Sequence, residues 1–187
     1  MPNTHPVPHA ALVRRAVGAL IAATLIAIVT VTAAADAQVR ITMRAWQEPV
    51  LLDTMRQDHH LSASADKVYS AALQAYADLG IPTGKTDGKS GIVGSERFEQ
   101  ARSLANAPMS RWFSCGEGAT GPYADSFRLE IAVVTWVEPE GTGTKVGLAT
   151  IASGRDVSGV FRNPKECEST GALELEILGE IKKLVGS

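Results

Sequence analysis

The sequence is poor in the residues that most enzymes and metalloproteins use. It has two cysteines and four histidines in 187 residues, and no serine stands at a suggestive spacing from a histidine. It also lacks a basic block, and its formal net charge is −2. A chain without a basic patch is a poor match for nucleic acid, so we expect no nucleic-acid partner. It shows no internal repeat and no low-complexity tract.

Two short motifs resemble known sites, and both have a simpler explanation. The run Asp58-His59-His60 would place its two histidines on opposite faces of a strand, so they are poorly placed to share one metal ion. The run Gly116 to Gly121 matches G-x-G-x-x-G, but Pro122 and then a predicted strand follow it. A dinucleotide site needs a helix at that point. We therefore predict no metal site, no cofactor and no catalytic residues.

The N-terminal segment has the pattern of a secretory signal. Arg14 and Arg15 precede an apolar run from Ala16 to Ala35, and Ala35-Asp36-Ala37 follows as a small-x-small cleavage site. We predict a signal peptide over residues 1–37 and a single domain over residues 38–187. The alternative is an uncleaved anchor, since twenty apolar residues can just span a bilayer. The protein would then be associated with a membrane through this segment.

The two cysteines, Cys115 and Cys167, are expected to form one disulfide in an exported chain. The bond would close a loop of roughly 50 residues and stabilise the fold by about 4 kcal/mol in the chain-entropy model. No cysteine lies near the end of the leader. Lipid attachment at that point is therefore excluded, and we expect a periplasmic or envelope-associated protein.

Hydrophobic periodicity predicts the secondary structure of the predicted domain. Strict alternation indicates a strand or mobile arm over residues 38–46 and a hairpin over residues 127–152. Apolar stripes predict a helix that starts near Ser62 or Ser64 and ends at Gly80, and a last helix that starts near Ser169 or Thr170. A short strand is predicted over residues 91–98. The order favours an α+β fold, with a mainly antiparallel sheet and two helices packed on one face.

Part of this pattern resembles a known family. The run Ala65 to Tyr69, then Leu79-Gly80-Ile81, then Gly91 to Ser95 resembles the opening of helix-grip modules. It looks most like the small exported domains of the BamC type, which are outer-membrane assembly lipoproteins. The resemblance implies a helix-grip-like fold. The chain lacks the lipobox cysteine of that family.

Four aromatic residues are the candidate partner-binding residues. Trp112, Phe113 and Tyr123 lie in or beside a long irregular stretch, residues 99–122, and such a stretch is often functional. Trp136 alternates with the apolar positions of its strand, so it lies on the side that carries Arg128 and Glu130. The favoured interpretation is that a helix or the 99–122 stretch covers it, and the alternative is that it faces solvent. Exposed aromatic residues can anchor a partner.

These features predict a non-catalytic binding or scaffold domain of the cell envelope, which contacts a protein partner through the aromatic residues. An alternative function is a carrier of a small apolar ligand, held between the last helix and the sheet. A hydrolytic enzyme is the third hypothesis. A cavity lined by aliphatic residues would favour the carrier, and convergent polar groups with shifted pKa values would favour the enzyme.

Overall fold

The computed structural model describes residues 38–186 of the chain. The predicted signal peptide, residues 1–37, lies outside this range. The fold is α+β with mainly antiparallel sheets, as the order of elements predicted. None of the helices within residues 38–186 is both long and apolar enough to cross a membrane.

The strands vary in length from two residues to the 13 residues of each strand of the long hairpin. In chain order they are β1 Arg40–Ile41, β2 Val50–Leu51, β3 Gln57–Leu61, β4 Lys85–Asp87, β5 Ile92–Ala101, β6 Ser103–Leu104, β7 Ala107–Pro108, β8 Phe113–Ser114, β9 Glu117–Gly118, β10 Gly121–Pro122, β11 Arg128–Glu140, β12 Gly143–Arg155 and β13 Lys165–Ser169. The helices are α1 Ala65–Asp78, α2 Met109–Trp112, α3 Tyr123–Ser126 and α4 Ala172–Val185, and a 3-10 turn covers Leu52–Met55.

The predicted hairpin is the centre of the main sheet. Strands β11 and β12 pair over their whole lengths, from Arg128 opposite Arg155 to Glu140 opposite Gly143. The sheet has seven strands. Six of them follow the order β4-β5-β11-β12-β13-β8, and the seventh, β3, pairs with the same edge of β12 as β13 does, nearer the hairpin turn. Every pair in it is antiparallel. The hairpin turn is short, because β11 ends at Glu140 and β12 begins at Gly143.

Both predicted helices pack on one face of this sheet, here called the first face. Helix α1 ends at Asp78, and Gly80, with a φ of +68°, is the left-handed C′ residue that the sequence predicted. The stripe of α4 at Leu173, Ile177 and Ile181 is buried against the strands. The Ser169 and Thr170 hydroxyls accept the N–H groups of the residues that open this helix, at 3.1 Å and 3.3 Å. The apolar periodicity therefore located both helices correctly.

The N-terminal segment covers the opposite, second face. Residues 39–52 are here called the strap. The predicted alternation is present over residues 38–44, with Val39, Ile41 and Met43 buried, and it does not continue beyond them. They form a second apolar cluster against the side chains that alternate outward from the hairpin. These are mainly Ala132, Val134, Trp136, Ala149 and Ile151. The sheet is thus buried on both faces at its centre.

Two strands of the sheet lie in segments for which the sequence predicted no element. Lys85 to Asp87 pairs with the start of β5, and Lys165 to Ser169 pairs with β12 and β8. Both strands are short and polar, and each has at most one buried residue. Their sequences therefore show little hydrophobic periodicity. Residues 157–161 form an irregular loop.

Candidate functional site

Three of the four predicted partner-binding aromatics are buried, which corrects the prediction. Trp112 and Phe113 lie in the core of the first face, and the Trp112 indole N–H donates to the Leu104 carbonyl at 2.9 Å. Trp136 is on the predicted side of its strand, but the strap covers it. Of the four, Tyr123 alone is partly exposed. Of the four predicted residues, only Tyr123 is therefore accessible to a partner.

The predicted disulfide is present and fastens this region. Cys115 follows β8 and Cys167 lies on β13, and the two sulfur atoms are 2.02 Å apart. Gly154 of β12 lies beside the bond. A Cβ at that position would lie 3.0 Å from the Cys167 Sγ and 2.8 Å from the Phe127 ring. The absence of a side chain at Gly154 therefore lets the disulfide and Phe127 pack closely on the sheet.

Phe127 belongs to an aromatic cluster beside the disulfide. Its ring stacks on Tyr123 with centroids 5.1 Å apart, and Phe161 meets Tyr123 edge-on at 5.2 Å. The Lys165 ammonium lies 4.7 Å from the Tyr123 ring centroid and 4.5 Å from that of Phe161. These contacts join α3, the segment before β13 and β13 itself. Aromatic stacking and cation–π attraction thus hold the loop that carries Phe161.

Two glycines of the G-x-G-x-x-G run, Gly116 and Gly118, lie against the Tyr123 ring of this cluster. A Cβ on Gly118 would lie 2.7 Å from the Tyr123 ring, and one on Gly116 would lie 3.6 Å from it. The run forms the small β9–β10 hairpin and is followed by the single turn α3 rather than by the predicted strand. The close approach of the Tyr123 ring explains why Gly118 has no side chain.

The loop between β12 and β13, residues 156–164, carries the most exposed apolar side chains of the described chain. The Asp156 carboxylate accepts the N–H groups of Ser158 and Phe161 at 2.8 Å and 2.9 Å. These hydrogen bonds, with that of the Ser158 hydroxyl, lower the pKa of Asp156 to about 2. Val157 and Val160, which lie between Asp156 and Phe161 in the sequence, are 61% and 76% exposed. We call Tyr123, Val157, Val160, Phe161 and Lys165 the loop surface.

Two arginines lie at the end of the sheet from which the loop leaves. Arg128 and Arg155 are directly paired at the open end of the β11–β12 hairpin, on the same face of the sheet, and both are exposed. Like charges in such a position repel each other. Arg128 has Glu99 at 3.7 Å as a partner. Arg162 follows in the loop and Lys165 begins β13, but Glu166 and Glu168 come directly after them. Residues 155–168 therefore hold three basic and three acidic side chains.

A second polar cluster has a structural role. Arg56 contacts Glu138 through both terminal nitrogens, and Lys145 reaches the same carboxylate at 2.7 Å. These partners lower the pKa of Glu138, and the hydrogen bond to Glu138 raises the pKa of Arg56. The guanidinium also lies 5.6 Å from the Trp136 ring. Glu138 is therefore part of a satisfied ion-pair network beside the second apolar cluster.

The predicted histidine run shows the alternation expected of a strand. His59 is on the side of β3 that faces the helices, and His60 is exposed beside Glu140 at 2.5 Å. Within residues 38–186, no three histidine, cysteine or acidic side chains come together as metal ligands.

One cleft bears on the carrier hypothesis. Its volume is about 300 Å³, and it lies between the end of α1 and the β6–β7 hairpin. Asp78, Gln100, Ser103 and Asn106 give it a polar lining. The ligand space predicted for the carrier lies elsewhere, between α4 and the sheet, and buried Leu173, Ile177 and Ile181 fill that interface. We therefore do not assign a carrier function to either place.

Sequence reasoning missed most of the loop surface. It found Tyr123 and both cysteines, but it assigned no role to Val157, Val160, Phe161 or Lys165. A signal was present, because two valines stand among glycine, serine and charged residues in the run Arg155 to Arg162. The exposure of Val157 and Val160 depends on the hydrogen bonds that Asp156 accepts, and these form only in the folded chain.

A scan against protein-family models and a search of curated proteins gave no match to this chain. The resemblance to BamC-type domains stays a prediction. Function is therefore inferred from the geometry of the loop surface.

Proposed function

We propose that the protein is a non-catalytic binding module of the cell envelope, exported across the inner membrane, which contacts its partner through the loop surface. The disulfide supports the compartment, since such bonds persist in oxidising environments. The observation that carries the proposal is the exposure of Val157 and Val160 at the tip of a loop that is held in place.

The loop is held at both ends, which suits a binding role. Asp156 closes its base through the Phe161 N–H, and Phe161 packs on Tyr123 and Phe127 beside the disulfide. A fixed loop loses little conformational entropy when a partner binds. Scaffolds commonly present functional residues in this way.

The two valines contribute little to folding where they stand. Burial of an apolar side chain gains about 25 cal/mol per Å², and these side chains leave most of that gain unused in the free protein. Contact with a partner would recover it. The well-satisfied polar networks elsewhere, such as Arg56 with Glu138, have a structural explanation and do not require catalysis.

The test is binding of the purified protein to an isolated envelope fraction of the cells that export it. We expect saturable binding that the double substitution Val157→Asp with Val160→Asp reduces at least about tenfold. The matched control is Leu175→Asp, because Leu175 is 58% exposed on α4, away from the loop surface. Equal binding by the wild type and the double variant would overturn the proposal.

A further inference from the structure

We propose that the cleft between the end of α1 and the β6–β7 hairpin binds a small organic cation, a ligand that carries a guanidinium or alkylammonium group. The cleft shares no residue with the loop surface, so this site goes beyond the proposed function and does not depend on it. Three features of the cleft support the assignment: the acidic end of α1, the acceptor groups of the facing hairpin, and the fixed backbone of that hairpin.

The end of α1 gives one wall of the cleft a negative charge. Asp78 is the last residue of this helix, where the helix dipole already places partial negative charge, and the last turn contains no basic residue. Its carboxylate accepts a hydrogen bond from the Gln74 amide at 2.8 Å. Among residues 38–186 it forms no ion pair. A bound cation would therefore offset the unfavourable position of this carboxylate.

The hairpin wall adds hydrogen-bond acceptors. Gln100, Ser103 and Asn106 line the cleft together with Asp78. The Gln100 Nε2 donates to the Ser103 carbonyl at 2.6 Å, so the amide is fixed and its Oε1 is left to accept a hydrogen bond. Guanidinium and ammonium groups are donors with no acceptor. They match carboxylate, amide and hydroxyl oxygens, whereas an anionic ligand would be repelled by Asp78.

The hairpin wall has a strained and well-anchored backbone. Arg102, Ala105 and Asn106 have φ angles of +68°, +48° and +59°, in the left-handed region that favours glycine. Ala105 and Asn106 are the two central residues of the β6–β7 hairpin. The Leu104 carbonyl beside them accepts the indole N–H of buried Trp112 at 2.9 Å. Strain of this kind is concentrated at ligand sites, and a fixed wall lowers the entropic cost of binding.

The size and donor set of the cleft favour an organic cation over a metal ion. Its volume of about 300 Å³ is at the lower end of the range for small-molecule sites. Within residues 38–186, no group of three histidine, cysteine or acidic side chains could hold a metal ion. Arg102 is the one basic residue next to the lining residues in the sequence, and its side chain is exposed.

The experiment is an NMR titration of the isotope-labelled protein, as recovered from the envelope, with butylguanidinium chloride. Butylurea is the matched ligand, because it has the same shape without the charge. We expect saturable shifts of the backbone amides of Gly80, Ser103 and Asn106 with butylguanidinium. Butylurea should bind at least about tenfold more weakly, since charge-assisted hydrogen bonds are the stronger ones.

Two variants of α1 locate the contact. Asp78→Asn is expected to weaken butylguanidinium binding at least about fivefold, because it removes the carboxylate from the cleft. The matched control is Asp66→Asn, which removes an equal charge from an exposed position in the first turn of the same helix. Its affinity should stay within about twofold of the wild type, because charges this far from the cleft are screened. Circular dichroism confirms that both variants are folded.

Three outcomes would overturn the assignment. Shifts that do not saturate, or equal affinity for butylguanidinium and butylurea, would show that the cleft does not select a cation. Equal losses in Asp78→Asn and Asp66→Asn would show that the ligand responds to net charge and not to the cleft. Saturable shifts of the same amides with calcium chloride, and none with butylguanidinium, would indicate a metal site in place of the organic cation.

Discussion

The Arg56 guanidinium holds the Glu138 carboxylate with two parallel contacts, Nη1 to Oε1 at 2.6 Å and Nη2 to Oε2 at 3.0 Å. This pair joins the segment before β3 to the far end of β11, 82 residues later. It also places the guanidinium above Trp136. Trp136 belongs to the second apolar cluster, which the strap covers. The ion pair therefore lies at one end of that cluster.

Glu138→Gln is expected to lower the free energy of unfolding by about 1–2 kcal/mol, because it removes one of the two carboxylates, Glu138 and Asp58, that contact a mostly buried guanidinium. The side chains of Arg56 and Glu138 are 12% and 25% exposed. Urea unfolding measures the change. Glu140→Gln is the control, since Glu140 is 51% exposed and its pair with His60 should contribute less than about 0.5 kcal/mol. Equal effects of the two substitutions would contradict this role.

The same pair predicts a pH dependence. Arg56 holds the pKa of Glu138 below its ordinary value, and an unfolded glutamate titrates near about 4.3. The unfolded chain therefore takes up this proton first as the pH falls. The stability that the pair contributes is fully present above about pH 4.3 and is lost below it. We expect the difference between wild type and Glu138→Gln to narrow between about pH 5 and pH 3 in urea titrations. A difference that stays constant would show that Glu138 does not titrate with a lowered pKa.

Gly154→Ala is expected to destabilise the region of the disulfide. The new methyl group would lie 2.8 Å from the Phe127 ring and 3.0 Å from the Cys167 Sγ, and overpacking of this kind costs about 1–3 kcal/mol. Gly179→Ala is the matched control. Gly179 is exposed on α4 and has no atom within 4 Å of a new Cβ, so alanine should stabilise the helix by about 0.5–1 kcal/mol. Thermal unfolding of both variants should therefore shift in opposite directions.

The sequence predicted what depends on local periodicity. The stripe of Leu173, Ile177 and Ile181 located α4, and the alternation from Leu129 to Val137 located the hairpin and assigned Trp136 to the correct face. It did not predict that the strap covers that face, because this contact joins Val39 and Ile41 to residues about a hundred positions away. The loop surface was missed for the same reason, since the contacts of Phe161 with Tyr123 and Phe127 are made only on folding.

The disulfide predicts both a stability difference and a mass pattern. Cys115→Ala with Cys167→Ala should lower the free energy of unfolding by about 4 kcal/mol, because the bond links residues 52 positions apart. Protein recovered from the envelope should have the mass of a chain that begins at Gln38. It should accept two alkyl groups only after reduction. A full-length mass with two free thiols would contradict both the predicted cleavage and the exported state.

The most direct test of the proposed binding surface is photo-crosslinking in intact cells that export the protein. A photoreactive amino acid replaces Val160 in one variant and Leu175, which is also exposed, in another. We predict crosslinks to an envelope component, lipid or protein, from position 160 and none from position 175. Crosslinks from position 175 with none from position 160 would show that the protein binds through a different surface. No crosslinks from either position would contradict a binding role for the loop.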